Sequence, residues 1–261
     1  MKTFITSMNA KLYESYGKRF MEGWSMHSAD DVSLIICFEG HLPNNLSKNL
    51  YRNIKIINLE SELSKLYVEK FGKFHQARGI VFNQDNSKKI TAFYNYRFDA
   101  IRFSFKIFSI YKCIELKLIH NNFAWIDSDI VCLKDFQSSD FDSFFPGTDQ
   151  LASYLGRESF PQPNPYSECG FIAYNYEHIH WRNFIQEMLN LYMSGDLFIL
   201  PEWHDCMVFD HVKKIYSSQR NIMFKNISEH LLNCDHPFNQ VGLSQFFDHL
   251  KGPERKARGY S

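Results

Sequence analysis

Three short apolar runs fix most of what this chain can become. Ser33 to Phe38 reads SLIICF, Ile54 to Leu59 reads IKIINL, and Phe123 to Ile126 reads FAWI. The first is apolar at nearly every position and rich in β-branched residues. As a strand it presents apolar side chains on both faces and needs a covering layer on each. Segments with helical spacing supply those layers. Leu12, Tyr16, Phe20 and Trp24 recur every four residues across Lys11 to Trp24, and Glu60 to Phe71 follows the second run. Strand, helix, strand, helix at this spacing predicts an α/β unit with parallel strands.

The same logic extends to both sides. Lys2 to Thr6 reads as a first strand that ends in a loop at Ser7, Met8 and Asn9. Phe98 to Leu118 has a helical pattern, with Ile101, Phe105 and Phe108 on one side. Leu151 to Leu155 and Phe171 to Tyr174 are further strands, and Ile179 to Met193 and Trp203 to Tyr216 are late helices. Gly79 to Asn95, rich in Asn, Lys and Gln, reads as a surface loop, and Pro161 to Pro165 as an extended or turning one. With no repeat and no low-complexity linker in 261 residues, one α/β domain with an irregular C-terminal part is expected.

Acidic and basic residues balance at 29 each, which argues against a large nucleic-acid surface. The six cysteines form no CxxC pair, so reduced cysteines are expected rather than a structural zinc site. The N-terminal stretch lacks the apolar core of a signal peptide, and no apolar run reaches 18 residues; a cytoplasmic protein is expected. The 16% aromatic content suits a Phe-rich core and also supplies faces on which a base or sugar ring can stack.

Asp127-Ser128-Asp129 follows directly on the FAWI run. Open parallel sheets bind ligands beyond the carboxyl ends of their strands, so two carboxylates there are well placed for a site. Carboxylates this close repel each other unless a cation offsets them, and a divalent metal carrying a diphosphate does so. Two Asp residues that merely cap a turn give the same three-letter pattern. Near the C-terminus, His249 and Gly252 precede Arg255 and Lys256. Imidazole is a common metal ligand, Gly permits close backbone approach to a phosphate, and cations neutralise its charge.

The aromatic-Ala-Trp-Ile run followed by D-S-D and Ile-Val-Cys-Leu resembles the nucleotide-sugar-dependent glycosyltransferases of the GT-A fold. The tail resembles the His-x-x-Gly-x-x-Lys segment of the glycogenin and lipopolysaccharide galactosyltransferase group, with Arg255 at the basic position and Lys256 one further on. The resemblance implies a Rossmann-like, mostly parallel sheet flanked by helices. It also implies Mn²⁺ or Mg²⁺ on Asp127, Asp129 and His249, with Asp127 also facing the ribose. Gly252, Arg255 and Lys256 fall on the diphosphate, and residues 236–261 form the metal- and diphosphate-binding segment. Thr6, Ser7 and Asn9 then match the family's contacts to base and ribose, and Arg102 and Lys106 its nucleotide- and phosphate-contacting cations. Tyr166 to Asn175 resembles the family's Asn-Ser-Gly strand, with Glu168 and Cys169 where Asn and Ser are usual. Glu168 is there a group for sugar hydroxyls or for a developing cationic sugar. Glu202 to Asp210 resembles the family's Asp-Gln-Asp segment, which gives Asp205 the task of orienting the transferred sugar, with Trp203 packing an apolar ring face.

The implied activity is metal-dependent transfer from a nucleotide-sugar, UDP-linked by preference, to an acceptor hydroxyl with retention of configuration. The acceptor class stays open between glycan, lipid, protein, small molecule and modified DNA. Two other functions fit paired carboxylates after a strand: a nucleotidyltransferase, which releases pyrophosphate, and a non-catalytic sugar- or protein-binding module descended from a transferase.

Overall fold

The computed structural model describes residues 1–43, 46, 51–84, 90–160, 166–232 and 236–252. Strand β1 (Lys2–Asn9) leads into a helical stretch made of α1 (Ala10–Leu12), a π-helical turn (Tyr13–Gly17) and α2 (Lys18–His27). Strands β2 (Val32–Glu39) and β3 (Ile54–Asn58) follow, then helix α3 (Glu62–Phe71). Ser61 caps α3: its hydroxyl accepts from the Ser64 N–H at 3.1 Å, and the Ser64 hydroxyl accepts from the Ser61 N–H. The runs SLIICF and IKIINL thus lie in strands, as their composition predicts.

A hairpin, β4 (Ile80–Gln84) and β5 (Ile90–Tyr94), stands where the Asn- and Lys-rich composition predicts a loop. The segment is on the surface, but its backbone pairs from Ile80↔Tyr94 to Gln84↔Ile90. Because β5 is exposed on both faces, no apolar alternation marks it in the sequence. Helix α4 (Ala100–Glu115) starts at an Asp99 cap. It is followed by β6 (Phe123–Ile126), β7 (Ile130–Cys132), β8 (Gln150–Leu155) and β9 (Glu168–Tyr174). Helix α5 (Trp181–Ser194) ends at Gly195 in the left-handed region (φ 91°), and α6 (Asp205–Arg220) follows. The chain then adds β10 (Met223–Asn226) and β11 (Phe247–His249). The segment Pro161 to Pro165 lies outside the described residues.

Seven strands form one sheet in the order β10-β8-β9-β6-β1-β2-β3. β6, β1, β2 and β3 are mutually parallel, β10 is parallel to β8, and β9 runs antiparallel to both of its neighbours. Alternate side chains feed two apolar layers, which is why the strands read as continuous apolar runs. Phe123 and Trp125 of β6 pack into the layer made by α3 to α6. Ala124 and Ile126 pack into the opposite layer with Phe20 and Trp24 of α2 and Phe247 of β11. No described helix is long and apolar enough to cross a membrane.

Candidate active site

The parallel strands β1, β2 and β6 end on the same edge of the sheet, and Asp127-Ser128-Asp129 follows β6 there. The hinge is clamped on both sides by backbone bonds. The Asp127 N–H donates to the Gly170 carbonyl at 3.0 Å, one step beyond the β6–β9 ladder. The Leu250 N–H donates to the Asp129 carbonyl at 2.8 Å, one step beyond the antiparallel pairing of β11 with β7. That second ladder sets His249 opposite Ile130, so the C-terminal strand delivers its imidazole to a carboxylate pair far away in sequence.

His249 is 1% exposed, with Nε2 3.2 Å from Asp129 Oδ1 and 3.7 Å from Asp127 Oδ2. One ligand atom from each of the three side chains lies within 4.8 Å of the others. Burial disfavours a charged imidazole, but Asp129, Glu168 and Asp127 overcome it and raise the His249 pKa to about 9. Two carboxylates and one imidazole nitrogen at this spacing fit a divalent cation, whose charge would replace that proton's.

Gly170 makes room for the arrangement. A Cβ there would lie 2.7 Å from His249 Cε1, 3.0 Å from its Nδ1 and 3.5 Å from Asp127 Oδ2. Gly170→Ala is therefore expected to push the imidazole off the carboxylates. Overpacking of this kind costs about 1–3 kcal/mol, which a thermal melt will show, and Mn²⁺ affinity should fall in the same variant. A melt and a Mn²⁺ titration indistinguishable from the wild type would contradict the placement of His249.

The other oxygen of Asp127 is held from below. Trp125 Nε1–H donates to Asp127 Oδ1 at 2.7 Å, and Lys106 Nζ is 3.4 Å from the same oxygen. Lys106 reaches from α4 across the Trp125 ring, 5.0 Å from its centroid, to the Cys169 carbonyl at 2.6 Å and to an ion pair with Asp205. Burial alone would lower the Lys106 pKa, yet Asp127 and Asp205 hold it well above the ordinary value. Asp205 opens α6 behind a His204 cap, where the helix dipole also favours a carboxylate. Lys106, expected to meet phosphate, thus has its charge committed to two carboxylates. Arg102, one turn earlier, stays exposed and donates to the Tyr94 hydroxyl at 3.3 Å.

The expected trio after the first strand separates. β1 continues to Asn9, so side chains alternate. Ser7 and Asn9 share a face and both donate to Glu39 at the end of β2, at 2.7 and 3.3 Å. Thr6 points to the opposite face and is 0% exposed, with its hydroxyl buried. The carboxylate of Glu168, expected to face a sugar, lies instead behind His249, with its side chain 1% exposed. Trp203 is packed between Phe98 and Phe198, with ring centroids 5.1 and 4.8 Å away. Gly252 takes a left-handed conformation (φ 87°) with no atom of the described residues within 4 Å of its Cβ direction, while Arg255 and Lys256 lie outside the described residues.

Several residues at the site carry no motif. Glu39 could have been found by asking what ends each parallel strand. Tyr16 sits in the π-helical turn and hydrogen-bonds Ser128, with Asp129 and Arg102 close by; burial pushes its pKa up. Such turns recur at functional sites, but no residue pattern in the sequence marks this one.

Neither a family model nor a curated protein matches the sequence. Among solved structures, the chain is similar to a glycosyltransferase involved in the glycosylation of the major capsid of PBCV-1. That alignment covers 98% of each chain at a TM-score of 0.50 and 11% identity. The bifunctional glycosyltransferase WbbM aligns over 96% of this chain and 45% of its own, at a TM-score of 0.49 and 11% identity. Mouse xyloside xylosyltransferase 1 aligns over 94% and 92%, at a TM-score of 0.43 and 10% identity. At such identities the likeness concerns the fold alone: over its full length the chain has the mixed α/β architecture of the first of these structures, with a seven-stranded, mostly parallel central sheet.

Proposed function

We propose that the chain transfers a sugar from a nucleotide-sugar to an acceptor hydroxyl, with Mn²⁺ or Mg²⁺ held by Asp127, Asp129 and His249. The observation that carries this is the meeting of those three side chains at the carboxyl ends of the sheet strands, in a glycosyltransferase fold. The cation supplies charge that stabilises the departing diphosphate as the C–O bond breaks.

The chain's own residues divide the remaining work. Ser7, Asn9 and Glu39, with Arg102 and Tyr16 close by, form the nucleotide end of the site. Lys106 keeps Asp127 and Asp205 in fixed relation, so the carboxylate that meets the cation and the one proposed to meet the sugar are set by a single ammonium group. Gly252 has a left-handed backbone conformation, and Arg255 and Lys256, three and four residues further in sequence, belong to the proposal as the cations that meet the diphosphate. UDP as the nucleotide and retention of configuration belong to the proposal on the strength of the tail's sequence resemblance.

The test is a panel of nucleotide-sugars with Mn²⁺ or Mg²⁺ and no acceptor, in which water replaces the hydroxyl. Slow release of nucleoside diphosphate and free sugar from at least one donor, stopped by a chelator, is the expected result. Pyrophosphate as the product would assign a nucleotidyltransferase instead, and no turnover across the panel by a folded, metal-bound protein would favour a binding module.

A further inference from the structure

We infer that Glu168 is a positioning residue: its carboxylate takes the Nδ1 hydrogen of His249 and so aims Nε2 at Asp127 and Asp129. The inference rests on the metal-site reading above and adds to it the group that orients the imidazole. A carboxylate can only accept, so at the 3.1 Å contact between His249 Nδ1 and Glu168 Oε1 the ring must donate. That leaves Nε2, the nitrogen 3.2 Å from Asp129 and 3.7 Å from Asp127, as the one whose lone pair can serve a cation.

Strand pleating explains how one element serves both needs. Glu168 and Gly170 are two apart on β9 and share a face. Glu168 grips one ring nitrogen, while the missing side chain at Gly170 leaves the ring edge its space. Phe238 packs edge-on against the ring at 5.0 Å and fixes its plane.

The surroundings also separate this role from a direct contact with sugar. Besides His249, Glu168 Oε1 meets Lys251 Nζ at 2.8 Å and His236 Nδ1 at 3.4 Å, and Oε2 meets Arg157 at 3.3 Å. Both oxygens are therefore occupied by groups of this chain, on a side chain 1% exposed. Lys251 and Arg157 offset the carboxylate's charge, so it orients the ligand without adding to the negative charge of the Asp127–Asp129 pair.

Two variants separate hydrogen bonding from charge. E168Q keeps the reach and an accepting oxygen but loses the charge; E168D keeps the charge but withdraws the acceptor by one methylene. In calorimetric titrations with Mn²⁺ in the presence of UDP, E168Q, whose oxygen still accepts from His249 while its NH2 faces Arg157, is expected to lose clearly less affinity than E168D. E168D is expected to bind Mn²⁺ about 10–100-fold more weakly, the usual effect of removing the partner of a metal-bound imidazole. Thermal melts of both variants establish that each is folded. E168Q binding as weakly as E168D or more so, or both binding like wild type, would overturn the positioning role. H249A in the same titration tests the metal-site reading separately, because unchanged Mn²⁺ affinity there would remove His249 as a ligand whatever the Glu168 variants do.

Discussion

Replacing Asp129 by Asn is expected to lower sugar transfer by at least about 10²–10³-fold, the cost of removing one group that stabilises charge developing in a transition state, while the fold survives. Asn keeps the size of Asp and its carbonyl oxygen, so the backbone clamp from Leu250 and the β7–β11 pairing remain in place. What disappears is half of the anionic charge that the Asp127–Asp129 pair offers a cation. Asp127→Asn should behave similarly, with an added loss: Asp127 Oδ1 also accepts from Trp125 and faces Lys106, so a flipped amide would set a donor against donors. Initial rates of nucleoside diphosphate release, measured with a melt of each variant, check both. Full activity in either variant would remove that residue from the metal site.

The second large effect concerns stability. Lys106→Met is expected to destabilise the protein by about 3–5 kcal/mol, because breaking a buried ion pair by removing one partner leaves uncompensated charge. Here two carboxylates, Asp205 and Asp127, lose their shared cation, and the side chains of Lys106 and Asp205 are only 13% and 11% exposed. The Cys169 carbonyl loses its donor as well. For a chain of this size each kcal/mol lowers the melting midpoint by roughly 2–4 °C, so a drop of about 6–20 °C is expected. An unchanged midpoint would show that the ammonium group is not the link between the two carboxylates. Activity should fall too, since Asp127 and Asp205 both lose their fixed positions.

The parts legible in the sequence are those where local pattern and position coincide. SLIICF and FAWI are apolar on both faces because the sheet is covered on both, and the D-S-D hinge follows a strand end, where parallel sheets place ligands. The tail segment can be recognised by its spacing, yet its route across the hinge depends on β7 and β11 pairing, which no local pattern announces. The misplacement of Thr6 has a simple source. Ending β1 at Thr6 puts three polar residues together in a loop, whereas extending it to Asn9 sends Thr6 to one face and Ser7 and Asn9 to the other. A strand boundary moved by three residues changes which hydroxyl meets Glu39.

The roles of charged residues depend on partners far away in sequence. Lys106 and Glu168 both have the chemistry of ligand contacts, and both are held by partners from distant elements: Lys106 by β9, α6 and the hinge, Glu168 by His249, Lys251, His236 and Arg157. A charge's availability depends on what tertiary structure places beside it, and sequence spacing is silent on that. Glu39 shows the converse. It has no motif, but it ends β2 and accepts hydrogen bonds from Ser7 and Asn9, which only the alignment of β1 with β2 brings beside it.

Calorimetric titration of Mn²⁺ into the protein with UDP present decides whether Asp127, Asp129 and His249 together hold one divalent cation. Wild type, D127N, D129N and H249A are compared at one pH. A single Mn²⁺ site is expected in the wild type and a marked loss of affinity in each variant, with melts that show the proteins still folded. Wild-type Mn²⁺ affinity in all three variants would rule that site out.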